Sequence, residues 1–202
     1  NIILPIGVLL LIRAKLPYLA VALVLLAKWR VIAVQPRYWL ANVRSNSVDT
    51  IVGISFVILI HSTTKLSVQL LMTAAFAAWL LLLKPRSESI WVSTQALVAQ
   101  TLGIVALQDY VANRGGQVWP EFAVVLLAFG IALACSRHFL SNYEDRYLSA
   151  VSFTWALFIA ELAWLLNHWI LFYVRYVSSL ALLSAIFGYI CMRLYAKTHT
   201  DS

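Results

Sequence analysis

The sequence predicts an all-α, polytopic membrane protein: about six full transmembrane spans, with a hydrophobic helical hairpin at the N-terminus. Composition and run length carry this reading. Of 202 residues, 62% are hydrophobic and 11% are charged, where a soluble domain has roughly 45–50% and about 25%. A soluble fold of this length would lack the polar surface to cover itself, and the mean hydropathy of +0.85 agrees. The apolar residues form long unbroken runs rather than alternating ones, which favours helices over a barrel. A disordered chain, a secreted disulfide scaffold and a nucleic-acid-binding domain are excluded. The net charge of +7 needs no nucleic acid, because membrane proteins gather Lys and Arg in cytoplasmic loops.

Taken in order, residues 2–12 and 16–27 are apolar but short, with Arg13 and Lys15 between them. A helix of that length covers about 18 Å, against the roughly 30 Å of a bilayer core. They are expected as a short hairpin on one side of the membrane, and Pro17 suits a helix start. A pair of thin or extended spans, giving eight in total, is the rival. The opening stretch has neither a basic region before it nor a small-residue cleavage site after it, so it does not read as a signal peptide. Residues 28–47 interleave Lys28, Arg30, Arg37 and Arg44 with Trp29, Tyr38 and Trp39. Basic side chains and aromatic rings together suit the headgroup level, where these four cations are expected to contact anionic lipid. Pro36 breaks any single helix here. Residues 1–47 thus form one region, 48–193 a six-helix bundle and 194–202 a polar tail.

The six expected spans are 48–61, 66–83, 90–108, 119–136, 148–172 and 177–192. Short connections between the first pair and the last pair make those neighbours antiparallel. Lys28, Arg30, Arg37, Arg44, Lys84, Arg86, Arg137, Arg146, Arg193 and Lys197 fall on one side, and Lys65, Arg114 and Arg175 on the other. The richer side is expected to be cytoplasmic, and with it the C-terminus. Cys135 and Cys191 then lie near that side, where thiols stay reduced. Both are expected free and buried. Trp29, Trp39, Trp91, Trp119 and Trp169 sit near span ends, as an aromatic belt does. Asp49 opens the first span and Asp109 closes the third, and each reads as a capping or interface residue. Ala74, Ala75, Ala77 and Ala78, and then Ala128, Gly130, Ala132 and Ala134, permit close helix approach.

Few residues could carry chemistry. Glu161 lies near the middle of the fifth span, where an ionisable group is costly and usually faces the bundle interior or a watery cavity. Thr154, Trp164 and His168 share its stripe. The stripe reads either as a proton or ion site or as a protonated carboxyl donating one hydrogen bond to a neighbouring helix. Gln100 lies near the centre of the third span, as interhelical glue or as the partner of Glu161 across the core. Gln95, Gln69 and Thr73 read as glue. His61 and His168 could hold haem only if they face one another at matching depth. No zinc motif, catalytic motif or Walker motif occurs, so no metal, no resident cofactor and no catalytic residue is expected, and the balance is against an enzyme.

The stretches KWRVIAVQPRYWLANVRSNSVD, IVGISFVI, LLLLKPRSES, VSTQALVAQTLG and NHWILFY resemble a group of small multi-span proteins from candidate-phylum bacteria, Saccharibacteria and relatives. The resemblance implies a bacterial inner membrane. It implies no activity, because that group has none assigned.

Three functions remain open. The first is a small transporter- or channel-like bundle with Glu161, Gln100, His168 and Thr154 at its polar core. The second is a structural or accessory subunit that packs on protein partners while its basic face meets anionic lipid. The third is a haem or quinone redox protein.

Overall fold

A computed structural model describes residues 2–28, 37, 39–113, 121–143, 147–168, 173–174 and 177–200, with the backbone alone at 40–41, 44–45, 121, 167–168, 173–174, 177–178 and 199–200. These residues are helical apart from short connections and one antiparallel pairing of β1 (Tyr173–Val174) with β2 (Val177–Ser178). They form two compact units, Asn1–Ser87 and Glu88–Ser202.

In the first unit, α1 (Ile3–Arg13) and α2 (Pro17–Leu26) are apolar helices of 11 and 10 residues. The turn between them is a Schellman motif. Leu16 N–H donates to the Leu11 carbonyl and Lys15 N–H to the Ile12 carbonyl, both at 2.9 Å. Lys15 adopts φ 61°, the left-handed position that glycine usually fills. Pro17 takes the first helical position as expected.

Helix α3 (Trp39–Ser62) runs unbroken across residue 47, and α4 (Leu66–Ala78) returns beside it. Gln69 fastens that return, its amide donating to the carbonyls of Ile60 at 3.2 Å and Thr63 at 2.8 Å. These are carbonyls at the end of α3, where the helix ladder provides no partner. Phe56 and Phe76 stack with centroids 5.1 Å apart, over a core that includes Val8, Ala20, Val24, Val52 and Ile60. Gly53 lets α2 approach: a Cβ there would stand 2.7 Å from Val24 Cγ1. After Ala78 the helix relaxes into one π-helical turn, Trp79–Leu83, closed by Lys84 N–H on the Trp79 carbonyl at 2.9 Å.

The second unit contains α5 (Ser89–Ala112), α6 (Glu121–Leu140), α7 (Leu148–His168) and α8 (Ser179–Thr200). Helices α6 and α7 meet along small buried residues, Ala128, Ala132 and Cys135 on one and Ser152, Ala156 and Ala163 on the other. Small side chains let helix backbones approach closely, so dispersion and weak polar contacts accumulate. Gly130 is not part of that seam, because a Cβ there would meet nothing within 4 Å. Phe139, Tyr143 and Tyr195 gather at one end of this unit, with ring centroids 5.1 to 6.1 Å apart.

Among the described residues, five helices are long and apolar enough to cross a membrane: Leu66–Leu83, Ser89–Ala112, Phe122–Leu140, Leu148–Leu166 and Ser179–Thr198. This is compatible with an integral membrane protein. The span expected over 48–61 is a shorter apolar stretch, Asn46–Ser62. Asn42, Arg44, Ser45, Asn46, Ser47 and Asp49 load the first half of α3 with polar groups, so the apolar surface is confined to its second half.

Candidate functional site

Gln100 is the buried polar centre of the second unit, with 0% exposure. Its amide nitrogen donates to the Ser184 carbonyl at 2.9 Å, and its amide oxygen accepts from the Trp155 indole at 3.1 Å. One side chain on α5 thereby ties α7 and α8. Gly188 leaves room for it, since a Cβ there would stand 3.2 Å from the Gln100 amide nitrogen. One turn nearer the start of α5, Gln95 Oε1 pairs with His138 Nε2 on α6 at 3.1 Å. Ser136 donates to the Ser152 carbonyl at 3.3 Å between α6 and α7. In a low-dielectric interior such paired groups specify one helix arrangement, whereas unpaired ones would be costly.

Glu161 takes no part in this network. The partner expected for Gln100 across the core is instead Trp155 and the Ser184 backbone. The reason is helical phase. Trp155, Ala156, Ile159 and Ala163 carry the buried face of α7. Glu161 is six residues beyond Trp155, which at 3.6 residues per turn places it about 120° away. It joins Thr154, Phe158, Trp164 and Leu165 on an exposed stripe. The stripe expected from Thr154, Glu161 and Trp164 therefore exists, but on the outer face. Glu161 makes no hydrogen bond or ion pair with any described residue. The side chain of His168 lies outside the described residues.

Thr154 and Phe158 also line an open groove of about 670 Å³ between α7 and α8, facing Phe187, Cys191 and Tyr195. Phe158 and Phe187 stack across it at 4.0 Å. Cys135 is free and buried as expected, whereas Cys191 is free but only half-buried, because it lines this groove.

The first unit holds a second polar cluster. Asp49 is not a helix cap, since α3 begins at Trp39. It is the centre of an ion-pair cluster. Oδ2 contacts Lys28 Nζ at 2.7 Å and Lys84 Nζ at 2.9 Å, while Oδ1 accepts from the Trp79 indole at 3.2 Å. The π turn builds this arrangement. In an α-helix residues 79 and 84 would point about 140° apart. The i→i+5 bond between them brings both onto the Asp49 side. Burial pushes the Lys28 ammonium below the usual lysine range, against the pull of Asp49. For Lys84 burial acts in the same sense but is outweighed by the Asp49 carboxylate, which holds it above that range.

Lys28, expected to contact anionic lipid, also packs on Asp49, with 13% of its side chain exposed. Arg37 is exposed. Arg30 and the side chain of Arg44 lie outside the described residues. His61 ends α3 in the first unit, whereas His168 ends α7 in the second. Among the described residues no three of His, Cys, Asp and Glu gather in a way that could hold a metal ion.

Sequence reasoning missed Trp79, Lys84 and Trp155 as site residues. Buried Trp79 and Trp155 lie inside their helices rather than at the ends where an aromatic belt is sought. A buried indole N–H usually finds an acceptor, and that was the available signal. No family model, curated protein or solved structure matches the chain.

Proposed function

We infer that this chain is a non-catalytic subunit of a membrane complex, and that the outer face of α7 seats a transmembrane helix of its partner. The observation that supports this reading is Glu161, an exposed carboxyl well inside an apolar helix and without a partner among the described residues. An ionisable side chain costs about 2.5–3.5 kcal/mol against lipid at the centre of a span and less toward its end, and Glu161 lies between the middle and the end of Leu148–Leu166. A partner helix with a hydrogen-bonding or cationic side chain at matching depth removes that cost. The flanking Leu157, Trp164 and Leu165 provide apolar contact area on the same face. In this reading the ends bearing Lys28, Lys84, Arg137, Arg193 and Lys197 face the cytoplasm.

The test is site-specific photocrosslinking in native membranes, with the probe at Leu157 or Trp164 on α7 and, as control, at exposed Ile190 on α8. The expected result is one adduct of defined mass from the two α7 positions. It is absent from position 190 and lost on Glu161→Leu. Equal adducts from position 190, or none from α7, would refute the assignment.

A carrier-like reading is favoured by the α7–α8 groove. Its lining is apolar, so its substrate would be too, with Glu161 one turn beyond Phe158. Carboxyl infrared difference spectroscopy in nanodiscs, with Glu161→Gln as control, tests it. A Glu161 carboxyl band that responds to bulk pH supports proton-coupled transport, and one that does not removes that reading.

A further inference from the structure

The Asp49 cluster carries an inference that deepens the expected contact of Lys28 with anionic lipid and does not depend on the reading of α7. One carboxylate serves two ammonium groups. With Lys28 Nζ 2.7 Å and Lys84 Nζ 2.9 Å from the same Oδ2, the two cations lie within 5.6 Å of each other. The second carboxylate oxygen accepts from the Trp79 indole, so both oxygens of Asp49 are engaged. The cluster keeps one positive charge without a counter-charge inside it, and each ammonium has further N–H groups to donate.

Its level in the fold is informative. Lys84 directly follows the apolar segment Leu66–Leu83. Lys28 follows the apolar helix Pro17–Leu26 by two residues. Both cations therefore stand where apolar surface ends, which in a bilayer is the level of the phosphate groups. Lys84 keeps 39% of its side chain exposed, leaving a path for an anion. The π turn supports the same reading, since such turns often occur at functional sites. Here it places an indole and an ammonium on one carboxylate.

We propose that Lys28 and Lys84, held together by Asp49, form a binding site for the phosphate group of an anionic phospholipid at the membrane surface. Asp49 acts as the positioning residue. It draws two like charges together and leaves the pair with the net charge that a phosphodiester neutralises.

The test uses the full chain in nanodiscs of dioleoyl phosphatidylcholine and dioleoyl phosphatidylglycerol at three to one. Lipid retained on ejection is read by native mass spectrometry. The expected result is enrichment of phosphatidylglycerol over its bulk share. Lys84→Gln should lower it about fivefold, the worth of one basic residue at an anionic surface, and Lys84→Arg should retain it. Enrichment unchanged in Lys84→Gln overturns the proposal. Should the variants fail to fold, the wild-type chain decides. Its enrichment must fall as salt rises, since a partly exposed charge is screened, and a salt-independent enrichment overturns the site. Inorganic phosphate is the remaining arm. If it raises the thermal midpoint in pure phosphatidylcholine as much as phosphatidylglycerol does, the anion is soluble phosphate and the lipid assignment fails.

Discussion

Replacing Gln100 with leucine removes the polar centre of the second unit while keeping its volume nearly constant. Two interhelical hydrogen bonds are lost, to the Ser184 carbonyl and from the Trp155 indole. Between membrane helices each is worth about 0.6 kcal/mol on average and up to about 1.7. The Ser184 carbonyl belongs to α8 and keeps a helical acceptor role. The indole N–H of Trp155, which is 5% exposed, is left without a partner at about 1–3 kcal/mol. The expected loss is therefore about 2–4 kcal/mol. Trp155→Phe should leave the Gln100 oxygen unpaired and cost a comparable amount. The double variant should cost less than the sum by about 1 kcal/mol or more, because neither orphan remains. Unfolding in mixed dodecyl maltoside and SDS micelles, followed by near-ultraviolet circular dichroism, measures all four corners of the cycle. Strictly additive losses would refute the claim that this pair joins α5 to α7.

Three further outcomes are expected. Gly53→Ala puts a methyl 2.7 Å from Val24 Cγ1, roughly 1 Å inside ordinary carbon contact, and Val24 is stiff and buried. Overpacking of about 1–3 kcal/mol should outweigh a helix-propensity gain of about 1, whereas Gly130→Ala has open space and should lower no melting midpoint. Equal midpoints for the two variants would contradict the α2–α3 contact. Lys15→Gly should stabilise the first unit by about 1 kcal/mol, since it relieves a left-handed lysine, and protease resistance of the α1–α2 turn reports it. On the alkaline side, Lys84 is held above 10.5 in the fold, so its contribution is complete below that value and is lost as pH climbs through the folded one. Lys28 is shifted the other way, gives up its proton earlier in the fold, and adds stability as pH approaches 10.5. An alkaline melting series should show a late loss in the wild type that Lys84→Gln lacks, and superimposable curves would contradict the cluster.

Much of the architecture was legible in the chain. Long apolar runs must become helices because lipid offers no partner to backbone polar groups. The segment expected over 66–83 therefore coincides with the apolar helix Leu66–Leu83. Pro17 at a helix start, the shortness of the first two helices and the small-residue seam at Ala128 and Ala132 followed from the same local chemistry. The ends of α5 and α8 did not. Both helices continue past the apolar run, α5 through Asp109 to Ala112 and α8 through Arg193 and Lys197 to Thr200, because polar side chains at the headgroup level do not stop a helix.

The helical periodicity of α7 put Thr154, Glu161 and Trp164 on one stripe without any structure. Which way that stripe faces was decided by packing. The opposite face carries Ser152, Ala156, Ile159 and Ala163, the smaller and better-fitting surface for α6, so Glu161 was turned outward. The partners of Gln100 and Asp49 were likewise invisible. Gln100 lies 55 residues from Trp155, and Asp49 lies 21 from Lys28 and 30 from Trp79. Composition and periodicity act within one helix and determine what must be buried from water. Pairing across helices depends on how they close against one another, and the π turn that aims Lys84 at Asp49 arises only from that closure.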